Sequence, residues 1–166
     1  MTAPLLSAKG LKIAFGGVKA ADGIDLDISP GEFVAIIGPN GAGKTTFINM
    51  TTGYLRPHSG HIHFDGAEIT GLPPRSIVRR GIARSFQIPQ LFTEHTVIEN
   101  VALKVAAHGR FWRPFRPLLD AETAPAAMRL LEQFGLADVA TARATELNEG
   151  TRKLTDIAMA MALKPR

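Results

Sequence analysis

Near the N-terminus apolar and polar positions alternate. Leu11, Ile13 and Phe15 share one parity before Gly16-Gly17, and Ile24, Leu26 and Ile28 share another with Asp25 and Asp27 between them. A period of two is that of a strand covered on one face, so two half-exposed strands are predicted. Ser29-Pro30-Gly31 supplies turn chemistry. Phe33 to Ile37 (FVAII) is apolar without a break, the pattern of a strand buried on both faces. A glycine-rich loop follows. A helix is then predicted from about Lys44 to Thr52, with Gly53 as the residue just past its end. HIHF at 61–64 with Asp65-Gly66 reads as a strand and a turn. Pro74 to Arg80 reads as a short helix closed by Gly81, and Ile82 to Phe86 as a further strand.

From Thr96 the period lengthens. Val97, Val101 and Val105 fall on one helical face, with Ile98 and Ala102 beside them. Residues 109–117 (GRFWRPFRP) hold two prolines within a basic, aromatic stretch and read as a loop or insertion. Asp120 can cap a second helix that ends at Phe134-Gly135. From Thr151 helical spacing returns through Leu154, Ile157, Ala158, Met161 and Ala162. The first half is therefore strand-rich with one helix after the glycine loop, and the second half is largely helical. The fold class expected is α/β, with a helical subdomain inserted from roughly Gln87 to Glu149.

Composition narrows this picture by exclusion. A hydrophobic content of 45% and a charged content of 20% suit a globular chain rather than a disordered one. The chain has no cysteine, which removes disulfide scaffolds and thiolate metal sites. MTAPLLSAKG lacks the basic-then-apolar order of a signal peptide. The longest apolar runs, FVAII and IAMAMAL, are far short of the ~20 residues that span a membrane. A net charge of +4 favours anionic partners, such as nucleotide, nucleic acid or a membrane surface. Arg75, Arg79, Arg80 and Arg84 form one basic cluster, and Arg110, Arg113 and Arg116 another; both are read as solvated faces.

Residues 38–46 (GPNGAGKTT) bring chemistry. Gly38, Gly43, Lys44 and Thr45 satisfy G-x-x-x-x-G-K-[ST], the phosphate-binding loop, between a predicted strand and a predicted helix. Glycines let backbone N–H groups turn towards phosphate where a Cβ would obstruct, and the helix N-terminus adds partial positive charge. Lys44 is placed to reach the β- and γ-phosphates and the Thr45 hydroxyl to ligate Mg²⁺. The residues expected to hold the nucleotide are thus Gly38, Pro39, Asn40, Gly41, Ala42, Gly43, Lys44, Thr45 and Thr46. A guanine-reading N-K-x-D motif is missing from the sequence. Nothing in it specifies the acceptor site and lid of a small-molecule kinase.

From LKIAFGG through GPNGAGKTT to ARSFQ and ELNEG, order and spacing resemble the ATP-binding cassette (ABC) family. The stretch GIARSFQIPQLFTEHTVIENV at 81–101 is similar to the ATP-binding subunits of branched-chain (hydrophobic) amino-acid importers, with urea and short-amide importers close behind. The resemblance implies a P-loop NTPase core with an N-terminal antiparallel β part and an inserted helical subdomain. It divides the chain into a nucleotide-binding core (1–86), a helical subdomain opening with the Q-loop (87–149) and a signature helix (150–166). It implies that Phe15 stacks on adenine and that Gln87 touches Mg²⁺ and couples nucleotide state to the helical part. ELNEG is then a variant signature loop, with Leu147, Asn148, Gly150 and Thr151 at its key positions. Asn148 stands where serine is usual, and both are good helix caps. ATP and Mg²⁺ are the expected cofactors. The expected partners are transmembrane permease subunits and a second ATP-binding subunit, identical or not, with no nucleic acid, at the inner face of the plasma membrane.

Two patterns invite other readings. His58, His61 and His63 lie close together, but the resemblance places them on an exposed hairpin, so solvated histidines are expected. PLLDAE at 117–122 mimics a Walker B strand, yet only two apolar residues precede Asp120 and a helix pattern follows, so Asp120 is read as a cap. The basic, aromatic GRFWRPFRP is read as an exposed insertion near the membrane partner. No apolar run ending in Asp-Glu follows Leu147. The sequence is therefore expected to be a fragment of a longer subunit that ends before the Walker B strand, without the general base, with an incomplete core sheet and weak or no turnover. The rival readings are a non-hydrolytic nucleotide-binding module and a soluble ABC ATPase of DNA repair or translation.

Overall fold

A computed structural model describes residues 3–108 and 117–166, in two compact units, 1–80 and 81–166. Residues 109–116, most of the basic, aromatic insertion, lie outside the described residues.

The first unit is built on an antiparallel sheet. Strands β1 (Leu6–Phe15), β2 (Val18–Ile28), β3 (Ser59–Phe64) and β4 (Ala67–Glu68) pair in the order β2-β1-β3-β4. The predicted alternation holds: Leu11 and Ile13 are buried, while Ile24, Leu26 and Ile28 are half-buried. The β3–β4 turn has positive φ at both Asp65 (50°) and Gly66 (75°), the geometry that matches the twist of a two-residue hairpin. Helix α1 (Lys44–Thr51) follows the glycine loop and ends as expected, with Gly53 left-handed at φ 78°. Helix α2 (Pro74–Val78) begins on a proline, whose missing N–H costs nothing at a helix start.

Two predicted strands do not form. Residues 33–37 have no strand structure, and Phe33 and Ile37 are almost wholly exposed. Residues 82–86 are likewise without it. An unbroken apolar run becomes a strand only when neighbours satisfy its backbone and cover both faces. Among the described residues no strand pairs with either run. The sheet that exists is antiparallel throughout.

The second unit is helical. Helices α3 (Val97–His108), α4 (Thr123–Gln133) and α5 (Glu149–Met161) enclose a core in which Val97, Val101, Leu131, Ala158 and Met159 are buried. Burying a side chain such as Leu131 is worth ~1.5–3 kcal/mol. Thr96 and Glu99 form a capping box at the start of α3: Thr96 donates its backbone N–H to Glu99 Oε2 at 2.8 Å. The fully buried Asn100 accepts from the Phe92 N–H (2.8 Å) and donates to the Thr96 carbonyl (2.9 Å), stapling the incoming loop to the helix. The N-cap of α4 is Glu122 rather than the expected Asp120; Asp120 stands two residues earlier, its Oδ1 accepting from the Glu122 and Thr123 N–H groups, because the helix starts only at Thr123. Gly135 is left-handed just past its end.

The buried face of α5 differs from the predicted stripe. Thr155, Asp156, Ala158, Met159 and Ala162 are buried, whereas Leu154 and Met161 are more than two-fifths exposed. IAMAMAL is apolar all round, so periodicity allows more than one face to be covered. Packing selects one of them.

Candidate functional site

The predicted phosphate loop, 38–46, follows β2 and runs into the first turn of α1. No side chain caps α1, and no acidic residue stands in its first turn, so nothing on the helix itself competes for its first N–H groups. Gly43 caps the helix in a left-handed conformation (φ 83°). A Cβ there would lie 2.2 Å from the carbonyl oxygen of Ala20 on β2, so glycine is required twice over, by conformation and by space. Gly41 is also left-handed (φ 85°), but a Cβ there would meet nothing within 4 Å. The Lys44 ammonium donates to the carbonyls of Gly38 (2.6 Å) and Pro39 (2.7 Å), within the turn of the loop. Ala42 closes that turn with an N–H bond to the Pro39 carbonyl at 3.2 Å. Asn40 and Thr45 are exposed, and Thr46 is half-buried.

A cleft of about 310 Å³ adjoins the loop, walled by Ile24, Leu26, Val34, Ile36 and Phe47 as well as Gly43. Those walls are mainly aliphatic and aromatic, and Asp25, Ala42 and Lys44 line the cleft as well, so exposed apolar surface runs up to the loop. Phosphate chemistry belongs to the loop's amides and to Lys44. Phe15, expected at the adenine, closes β1 with its ring 49% exposed. It is not a core phenylalanine, and the ring is available for stacking.

In the second unit Gln87 is exposed and shares a cleft of about 340 Å³ with Ile88, Pro89, Glu149 and Arg152. The residue before it is held on both sides of its backbone. The Phe86 N–H donates to Asp156 Oδ2 at 2.9 Å, and Lys153 donates to the Phe86 carbonyl. The sequence pattern points to Gln87 but not to Asp156. Its one signal is an acid set directly before the apolar run IAMAMAL.

The ELNEG stretch forms the start of α5. Asn148 is the N-cap: its Oδ1 accepts from the Thr151 N–H at 2.9 Å and from the Thr151 hydroxyl at 3.0 Å. Leu147 is buried beneath it, and Arg152 ties the helix to the Ala144 and Thr145 carbonyls. Gly150 lies in the first turn, where an added Cβ would meet only Asn148 Oδ1 at an ordinary 3.5 Å. Nothing in this unit requires glycine there, and a helical glycine is ~1 kcal/mol worse than alanine.

The histidines behave as solvated side chains. His61 pairs with Glu68 at 2.8 Å, which holds the Glu68 carboxyl below its ordinary value, and lies 6.5 Å from the His63 ring. Among the described residues no group of three potential ligands could hold a metal ion. No helix among them is long and apolar enough to cross a membrane.

Residues 21–166 match the ABC transporter family. The chain is 38% identical to the high-affinity branched-chain amino acid transport ATP-binding protein BraF of Pseudomonas aeruginosa, over 100% of its own length and 68% of the relative's. It is 39% identical to the corresponding LivG of Escherichia coli K12, over 99% of its own length and 68% of LivG. The crystal structure of the ADP conformation of MJ1267, an ATP-binding cassette of an ABC transporter, superposes with a TM-score of 0.83 at 32% identity. That match covers 99% of this chain and 66% of MJ1267. With its phosphate loop in place and its whole length matched, the chain belongs to the ABC transporter family, as an ATP-binding subunit.

Proposed function

We propose that the chain binds ATP with Mg²⁺ on residues 38–46 and serves an importer of branched-chain or similar hydrophobic amino acids. The observation that carries the binding is Gly43, left-handed and pressed against the Ala20 carbonyl, with Lys44 opening an uncapped helix beside it. That arrangement presents N–H groups and an ammonium to an anion and leaves no room for a side chain. Thr45 is the Mg²⁺ ligand on the loop, Gln87 adds to the metal shell, and Phe15 stacks on the adenine. The start of α5, capped by Asn148 and carrying Gly150 and Thr151 in its first turn, meets the γ-phosphate of the ATP held by a second ATP-binding subunit. ATP hydrolysis in that sandwich drives permease subunits, which hold the protein at the membrane. The transported solute rests on the similarity to BraF and LivG alone. None of the residues assigned here is a carboxylate base, so binding is expected to exceed turnover in the 166-residue chain.

Titration of the chain with ATP and Mg²⁺, against Lys44→Ala, tests the reading. The variant is expected to lose at least about tenfold in affinity, the equivalent of ~1.4 kcal/mol. Equal affinity would refute the site. Turnover measured separately distinguishes a hydrolytic subunit from a binding module, and co-purification with permease subunits distinguishes a transporter subunit from a soluble ATPase.

A further inference from the structure

We propose that Lys153 and Asp156 are positioning residues that hold the Phe86 peptide and thereby aim the Gln87 side chain. The observation is a two-point clamp. Asp156 Oδ2 takes the Phe86 N–H at 2.9 Å, while the Lys153 ammonium takes the Phe86 carbonyl and lies 3.3 Å from Ser85 Oγ. The two side chains stand three positions apart on one face of α5, with Nζ and Oδ2 3.9 Å from each other. They reach back about seventy positions along the chain to the residue that precedes Gln87. The inference rests on the reading of Gln87 as a metal-shell residue.

Stability alone does not account for this arrangement. The helix is already anchored by Ala158, Met159 and Ala162 in the core and by Arg152 on two backbone carbonyls. Asp156 is 5% exposed. A carboxylate buried on a helix face costs desolvation that a leucine would avoid, and such groups are retained where they fix one geometry. What is fixed here is the backbone of a segment without strand structure. Side chains of α5 satisfy the Phe86 N–H and C=O where a neighbouring strand would otherwise do so. The clamp also explains why Gln87 and the first turn of α5 (Glu149, Arg152) line one cleft. Displacing the start of α5 must therefore pull on the peptide that carries Gln87. The signature helix and the metal-sensing glutamine are thus joined by hydrogen bonds with directional geometry, not by loose packing.

The experiment uses the 166-residue chain with two readouts: amide hydrogen exchange at Phe86, and ATP affinity with Mg²⁺ relative to ATP affinity in EDTA. Gln87→Ala is the reference. Asp156→Ala and Lys153→Met are each expected to speed Phe86 exchange about tenfold or more. Both should reduce the Mg²⁺-dependent gain in affinity as Gln87→Ala does, with affinity in EDTA unchanged. Asp156→Asn keeps a carbonyl acceptor for the Phe86 N–H and is expected to retain both properties. Exchanging the two charges (Lys153→Asp with Asp156→Lys) reverses donor and acceptor and is expected not to restore them. Lys153 is partly exposed, so Lys153→Met keeps the test open should Asp156→Ala fail to fold. Unchanged protection at Phe86 in both single variants would overturn the clamp. Lost protection with an intact Mg²⁺ effect, while Gln87→Ala abolishes that effect, would reduce the clamp to a structural contact and overturn the positioning role. Restoration by the charge exchange would show that only the ion pair matters, with the same consequence. A silent Gln87→Ala would overturn this inference together with the metal role of Gln87.

Discussion

Gly43→Ala isolates the most constrained point of the phosphate loop. Alanine at φ 83° carries a conformational penalty of ~1–2 kcal/mol. Its Cβ would stand 2.2 Å from the Ala20 carbonyl oxygen, well inside any carbon–oxygen contact. Either the start of α1 or the β2 backbone must move by about 1 Å, and overpacking of that kind costs ~1–3 kcal/mol. The expected destabilisation is about 2–5 kcal/mol, a large share of a small unit's stability. Gly41→Ala supplies the control: it has almost the same φ, and its Cβ meets nothing within 4 Å. Only the conformational part should appear there, so the two variants should differ by ~1–3 kcal/mol. Urea unfolding monitored by circular dichroism measures both, with midpoint and slope read separately. Equal destabilisation, to within about 0.5 kcal/mol, would refute the reasoning, because it would mean that the Ala20 backbone yields freely.

At the signature loop, Asn148→Ala removes the acceptor for the Thr151 N–H and is expected to cost ~0.5–2 kcal/mol, whereas Asn148→Ser stays close to the parent. Denaturation midpoints check this, and indistinguishable Ala and Ser variants would remove the cap from the account. Glu99 supplies a pH dependence. The Thr96 backbone N–H, then its hydroxyl, holds the Glu99 carboxyl below its ordinary value. A depressed folded value means that this stabilisation is complete above the unfolded pKa, about 4.3, and is lost as pH falls through the folded one. Thermal unfolding of parent and Glu99→Gln should therefore converge as the pH is lowered from 7 towards 3; a constant difference would contradict the capping box.

Several elements were legible because their causes are local. Lys44 follows a glycine that can turn left-handed, Gly53 and Gly135 can end helices as left-handed residues, and Asn148 carries an acceptor at capping distance from the Thr151 N–H. Such interactions span only a few residues, so spacing encodes them. The phosphate loop is local in the same sense, which is why nine consecutive letters announced it. Strand formation is not. Phe33 to Ile37 has the composition of a buried strand, but a strand exists only with a partner for its backbone, and no window of sequence specifies that partner.

By itself, then, the sequence determined the phosphate loop, the helix ends, the two half-exposed strands of the antiparallel sheet and, through motif order, the family. Tertiary structure alone decided that Thr155 and Asp156 lie on the buried face of α5 while Leu154 and Met161 stay exposed, since cover depends on what packs against each position. It decided that Phe15 is exposed at its strand end rather than buried in the core. It also brought Asp156 to the Phe86 N–H, a contact between residues 70 positions apart. The physical reason is common to these cases. Turns and caps are bonded within one stretch of chain, whereas burial and backbone pairing depend on what the rest of the chain places alongside.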